Sequence, residues 1–460
     1  VESDSSVLES PEEILSTMGK DGKRRWLYPK VIQGRFFHGR RILGLFLIAL
    51  YVFVPFIKIN GKPLLLLDII GREFIVFGKT FFATDTLLFL LLILSIGIFI
   101  IGMTAVLGRV WCGWACPQTV YLEFVFRPIE SLIEGSPNKR KKRDESAPSF
   151  DTLWRKVLKY SIYLLISAVL ANAFLAYFIG SDTLVEWMQQ SPLDHPAPFL
   201  LMLFVTALVM FDFSYFREQM CTIACPYARL QSVLLDKNSI IVGYDEKRGE
   251  PRSKGRERDG KGDCIDCHQC VDVCPTGIDI RKGLQLECLH CAQCVDACDS
   301  VMHKIGKPLG LIRYSSLEEF RGGVLKIWRP RTLLYILGFA LLVTAFIYRL
   351  ETRADSSVQI LRAGGEPYRI IESSGLVSNL VQIKISNLGD TSSNYNLHIK
   401  AQDKLESIIP VSKIVIEPKQ QAVVTAFINF QADIISEHVE IEITGDHGFE
   451  KKVIHQLRKP

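Results

Sequence analysis

Five stretches of this chain stay apolar for long enough to cross a bilayer, and polar segments separate them. They run over roughly 42–58, 86–107, 157–179, 198–216 and 332–350, each near the ~20 residues that an apolar helix needs to span the hydrocarbon core. The fourth is the weakest, being short and carrying Asp212. The third begins with Lys159, whose amine can snorkel to the interface. Beyond residue 350 the period changes from helical to two. Val381, Ile383 and Ile385 alternate with polar residues, as do Leu397 and Ile399, Val423 to Phe430, and Val439, Ile441 and Ile443. Asn387, Gly389 and Asp390, then Gly445 and Asp446, punctuate these runs as turns. This spacing predicts an antiparallel, Ig-like β-sandwich of about seven strands.

The pattern divides the chain into a segment 1–41, a four-helix domain 42–235, a polar segment 236–331, a fifth helix 332–350 and the sandwich 351–460. Composition supports an α-helical membrane protein with large extramembrane parts: 48% of residues are hydrophobic and mean hydropathy is +0.20. Net charge is only +5, but its placement is informative. Lys and Arg number eight in 1–41, nine in 107–156 and nineteen in 217–331, against three in 59–85 and none in 180–197. Positive loops stay inside. The N-terminus, the 107–156 loop and the polar segment are therefore expected in the cytoplasm, and the sandwich outside, in the periplasm. The run Lys139 to Arg143 reads as a solvated topogenic loop, so no nucleic-acid partner is expected.

Chemistry enters with the twelve cysteines, eight of which fall between residues 264 and 298. Cys264, Cys267, Cys270 and Cys274 precede Pro275, and Cys288, Cys291, Cys294 and Cys298 repeat the spacing. Each run has the bacterial ferredoxin spacing for a 4Fe–4S cluster, in which the fourth cysteine of each run ligates the other cluster. Cys264, Cys267, Cys270 and Cys298 are thus expected to hold one cluster, and Cys288, Cys291, Cys294 and Cys274 the second. Zinc sites use isolated pairs of ligands and disulfides need an oxidising compartment, so both fit less well. The second run ends in Cys298-Asp299 rather than Cys-Pro, an altered loop without loss of a ligand. His268 and His290 lie inside the runs and read as loop residues before ligands or proton relays. Asp263, Asp266, Asp272, Asp296 and Asp299 predict a locally acidic cluster surface. Lys247, Arg248, Arg252, Lys254, Arg256, Arg258 and Lys261 beside it read as a flexible basic linker.

The other four cysteines form a second pattern. Arg109 leads into Cys112, Cys116 and Pro117, and Arg217 into Cys221, Cys225 and Pro226, each at the end of an apolar stretch. The chain reads as two helical hairpins with the same C-x3-C-P ending, a weak repeat. Residues four apart share a helix face, and a proline forces the residue before it toward extended geometry, so each pair is expected at a helix break. Soft thiolates select Cu(I), zinc or iron–sulfur clusters; the bland alternative is small buried residues in tightly packed helix ends. Trp111 and Trp114 read as membrane-interface anchors. His398, His438, His447 and His455 in the sandwich show no ligand spacing and read as surface residues, which leaves the sandwich as a docking module.

Taken together, the segments WCGWACPQTV and CTIACPYARLQ, the cluster runs, five spans and a terminal sandwich resemble the CcoG/FixG/RdxA family of cytochrome oxidase accessory proteins. The resemblance runs from about Gly34 to the C-terminus. It implies a multi-pass protein of the bacterial inner membrane that assists assembly of a haem–copper cytochrome c oxidase. It also implies reduction of Cu(II) to Cu(I), with Cys112, Cys116, Cys221 and Cys225 handling copper and two 4Fe–4S clusters supplying electrons. Oxidase subunits or copper chaperones, an unidentified cytoplasmic electron donor and a second copy of the chain are the partners to expect. A competing reading is a quinol-oxidising relay to another reductase, similar to NapH-like and NosR-like membrane ferredoxins, against which the sandwich counts. A scaffold with structural clusters ranks last.

Overall fold

Among the described residues of the computed structural model, five helices are long and apolar enough to cross a membrane: α1 (Arg35–Phe53), α2 (Thr86–Leu107), α3 (Phe150–Ile179), α4 (Pro196–Phe211) and α5 (Pro330–Glu351). The structure describes residues 16–18, 23–59, 61–69, 71, 73–82, 85–147, 149–254, 261–353, 356–362, 368–371, 375–389, 391–400, 405–418, 420–431, 438–446 and 449–458. Two helices start well before their apolar stretches, because other residues cap them. α1 begins at Arg35 rather than residue 42, since the Asp296 carboxylate accepts the N–H groups of Phe36 and Phe37 at 3.2 and 2.8 Å. These are donors that no turn of the helix itself can satisfy. α3 begins at Phe150 rather than 157, where Ser149 Oγ accepts from the Thr152 amide at 3.2 Å.

The chain forms two compact units, residues 1–79 with 89–346, and 80–88 with 347–460. In the first, α1, α3 and α4 pack around an aromatic core: Phe126 stacks on Phe213 at 4.3 Å and meets Tyr163 edge-on at 4.6 Å. Leu333, Leu334, Leu337 and Leu341 of α5 remain exposed, as apolar residues facing lipid would. Between α1 and α2, where only a connection was expected, Leu65–Asp68 pairs antiparallel with Glu73–Val76. The basic run is not a loop but lies on the helix Pro137–Glu145, and its Arg140 is buried.

Short helices between α2 and α3 form a platform under the cysteine-rich segment. That segment is built on two antiparallel strands, Ile241–Tyr244 and Ile312–Ser315, with Val242, Ile278, Ile280, Val295, Met302 and Leu311 packed around the cysteines. The expected flexible linker is pinned over its described part. Asp245 caps the helix Glu246–Gly249, Lys247 donates to the Arg321 carbonyl, and Arg248 bridges Asp263 and the Leu309 carbonyl. Arg256 and Arg258 lie outside the described residues. The expected acidic surface is likewise neutralised. Asp263 pairs with Arg248 and Lys307, Asp266 with Arg281 and Lys254, Asp272 with Lys30, and Asp296 is buried as the α1 cap.

Among the described residues the second unit holds nine strands in sheets of five and four, against the seven or so expected. Leu376–Asn387 is central, pairing antiparallel with Gln421–Phe430 and with Ser356–Arg362. The period-two residues Val381, Ile383 and Ile385 are fully buried against Leu397, Ile441 and Ile443 of the other sheet. His398 and His438 are exposed, His455 is half-buried, and His447 lies outside the described residues.

Candidate redox site

The two cysteine runs fold alike. In each, the residue before and the residue after the second cysteine take left-handed backbone: Asp266 and His268 in the first run, His290 and Ala292 in the second. Four such non-glycine residues at matched positions wrap each loop around a cavity. One cavity is lined by Cys264, Cys267, Cys270 and Cys298. The other is lined by Cys274, Cys288, Cys291 and Cys294, with Cys270 also at its wall. The fourth cysteine of each run therefore lies at the other run's cavity.

The donor sets suit clusters better than single ions. Among the described residues no three of His, Cys, Asp or Glu are close enough to share one metal ion. That spacing argues against tetrahedral zinc and suits a cubane, in which each of four irons takes its own sulfur. Backbone N–H groups of His290 and Gln293 aim at the sulfurs of Cys288 and Cys291. Burial pushes the Cys270, Cys288 and Cys298 thiols up to about 12, so they ionise readily only against a positive partner such as iron.

The four remaining cysteines come from two distant segments and meet beside the second cavity. Cys116 and Cys225 are extended, with ψ of 126° and 112°, and each precedes a new helix begun by its proline. The helix thus ends between the two members of each pair. Cys112 and Cys221 pack with Leu289, Cys291 and Tyr227. Burial raises the thiols of Cys112, Cys116 and Cys221, and nearby cysteines of the group raise them further. Gly113 permits this approach: a Cβ there would lie 2.6 Å from the Leu289 oxygen and 2.8 Å from Cys291 Cα.

Several residues that hold this arrangement carry no local sequence signal. Gln231 Oε1 accepts from Arg109 Nε at 3.1 Å and from Cys112 Sγ at 3.3 Å. Buried Arg40 donates to the Gly113 carbonyl at 2.7 Å. The Arg109 amide donates to His290 Nδ1 at 3.0 Å, and burial, aided by Arg109, pushes that imidazole down to about 3. His290 is thus a neutral structural acceptor. His268 is half-exposed beside Arg281 and Asp266. Trp114 is no interface anchor, since its indole N–H donates to Tyr314 Oη in the cysteine-rich segment at 3.0 Å. Trp111 is partly exposed.

The second cysteine pair is braced differently. Arg217 forks onto Glu130, which also accepts from Arg140 at 2.6 Å. Burial alone would raise the Glu130 carboxyl, but Arg217 and Arg140 outweigh it and hold it at about 2. Arg24 and Arg127 pair with the neighbouring Glu218, and Arg127 reaches the Pro275 carbonyl at 3.1 Å.

Comparison with known proteins matches three family models. A 4Fe-4S dicluster domain covers residues 216–317, a 4Fe-4S binding domain residues 89–140, and an IG-like fold at the C-terminal of FixG residues 346–456. Protein RdxA of Cereibacter sphaeroides is 33% identical over 389 residues, covering 81% of this chain and 82% of its own. Nitrogen fixation protein FixG of Rhizobium meliloti is 32% identical over 415 residues, covering 80% and 77%. Protein RdxB of Cereibacter sphaeroides is 33% identical over 407 residues, covering 83% of each.

Proposed function

The chain belongs to the FixG and RdxA family of iron–sulfur proteins, and from that premise we propose that it reduces Cu(II) to Cu(I) while assisting assembly of a bacterial haem–copper cytochrome c oxidase. Cys264, Cys267, Cys270 and Cys298 hold one 4Fe–4S cluster, and Cys288, Cys291, Cys294 and Cys274 the other. When bound, these clusters supply one-electron transfer. Cys112, Cys116, Cys221 and Cys225 form the copper station. A two-thiolate grip suits Cu(I), a soft ion, and favours it over Cu(II). The single observation that carries this reading is that Cys112 and Cys221 pack in one hydrophobic cluster with Cys291 of the second run.

The positive loops put the N-terminus, the cluster segment and the copper station on the cytoplasmic side of the inner membrane, and the sandwich in the periplasm. There the sandwich docks an oxidase subunit or a copper chaperone.

The test uses the full-length protein with its clusters chemically pre-reduced. Cu(I) is captured by a chromogenic chelator. Cys112→Ser and Cys221→Ser should each lower the rate at least tenfold while the cluster absorbance stays complete. Wild-type rates in both variants would place copper reduction elsewhere.

A further inference from the structure

A larger cavity, of about 310 Å³, lies on the membrane side of the cysteine group. Its walls are Leu47 and Ile48 of α1, Leu170 and Phe174 of α3, and Val205 of α4, residues of three of the five apolar helices. Its end is formed by Ala115 and Pro117, the two neighbours of Cys116. This is the size and character of a ligand site: mostly apolar, with a few convergent polar groups.

Four polar side chains line it, one of them Tyr51, whose hydroxyl donates to the Leu170 carbonyl at 3.3 Å. Tyr121 is 8% exposed and its hydroxyl has no hydrogen-bond partner. A buried hydroxyl left unpaired is costly, so a ligand acceptor at this point gains accordingly. Asp212, an acid inside the fourth apolar stretch, contributes a carboxylate whose Oδ1 accepts from Gln118 Nε2 at 3.1 Å. Gln118 also donates to the Arg217 carbonyl at 3.0 Å, which ties the acid to the segment that carries Cys221. An acidic residue within an apolar span is expensive and marks chemistry. The motif pattern does not explain it, and the cysteines do not use it.

We propose that this cavity binds the head group of a membrane quinol and that the quinol is the electron source of the protein. Tyr121 donates to a head-group oxygen, Asp212 accepts from a quinol hydroxyl, and the isoprenoid tail leaves between the apolar walls. The step balances as one quinol with two Cu(II) giving one quinone, two Cu(I) and two protons. Both O–H bonds break, the protons leave in turn by way of the Asp212 carboxylate to water, and each copper ion takes one electron. The copper half of this balance rests on the reading above; the binding site does not.

The experiment measures binding of a short-tailed quinone to the full-length protein in lipid nanodiscs, without copper, by quenching of intrinsic fluorescence. Reduction of Cu(II) is then followed with the matching quinol as sole reductant. Saturable binding is expected. Tyr121→Phe should weaken it about tenfold, equivalent to ~1.4 kcal/mol. Asp212→Asn should slow quinol-driven Cu(I) formation at least tenfold, with iron content unchanged in both variants. Binding that is non-saturable, or equal in wild type and Tyr121→Phe, shows that only acyl chains fill the cavity and overturns the proposal. If the quinone does not bind but the chemically reduced protein still reduces copper, the quinol site falls and the copper reading stands. If it binds through Tyr121 and no copper is reduced under either reductant, the copper reading falls and the site stands.

Discussion

The two C-x3-C-P segments share a motif, a leading arginine and an extended second cysteine, yet the molecule uses them differently. Arg109 turns toward His290 of the cluster segment and toward Gln231 on the helix that Pro226 begins, and Cys112 packs in one hydrophobic cluster with Cys291. Arg217 turns into a buried ion network with Glu130 and Arg140, four residues before Cys221. The repeat therefore specifies backbone shape at the cysteines and leaves the neighbours free to diverge. One copy couples the thiols to the clusters; the other braces them.

Removing the brace should have the largest effect. Glu130→Gln leaves Arg217 and Arg140 without their shared anion in a site where Glu130 is 1% exposed. Breaking a buried pair from one side costs about 3–5 kcal/mol. Thermal unfolding in detergent, followed by helical ellipticity, should show the loss, and an unchanged midpoint would mean that the network braces nothing. The pH dependence has a definite sign. The folded value, about 2, lies below the ordinary 4.5. The stabilisation is therefore complete above the ordinary value and is lost as pH falls toward the folded one. The wild type should lose stability over that acid window more steeply than Glu130→Gln.

The next effect separates coupling from folding. In Gly113→Ala the new methyl meets the Leu289 oxygen, the Cys291 Cα and the Cys291 nitrogen at 2.6, 2.8 and 2.9 Å, all backbone atoms that cannot rotate away. The first segment must then back off the second cluster run. Copper reduction driven by pre-reduced protein should fall at least tenfold with iron content retained. A wild-type rate would show that electrons do not pass where the first segment approaches Cys291.

How much of this was legible in the sequence follows the same division. The cysteine runs have fixed spacing, so the grouping of Cys298 with Cys264 and of Cys274 with Cys288 could be expected from that spacing alone. Pro117 and Pro226 gave away the extended cysteines, because a proline restricts its predecessor whatever surrounds it. Period-two alternation marked Val381, Ile383 and Ile385 as core. Gln231, Arg40, Glu130 and Asp296 were not legible. Each meets a partner many residues away, as Asp296 does with Phe36 and Phe37, and such pairs leave no local period. The buried Arg140 was misread for a related reason: five consecutive basic residues look solvated until a helix turns one of them inward.

The smallest effect should come from Gln231→Leu, which probes how the helix after the second pair holds Arg109 and Cys112 of the first. The substitution keeps the side chain's approximate volume but removes the oxygen that accepts from Arg109 Nε and Cys112 Sγ. Arg109 is 2% exposed, so its guanidinium loses a partner that water cannot replace. The cost should be about 1–3 kcal/mol, below that of Glu130→Gln because one acceptor is lost and no buried charge is orphaned by a missing counter-ion. Copper reduction should slow only a few-fold, since Gly113 still allows Cys112 against Cys291. If Gln231→Leu instead matches Glu130→Gln in stability, the two segments are braced equally, and the asymmetry between coupling and bracing is wrong.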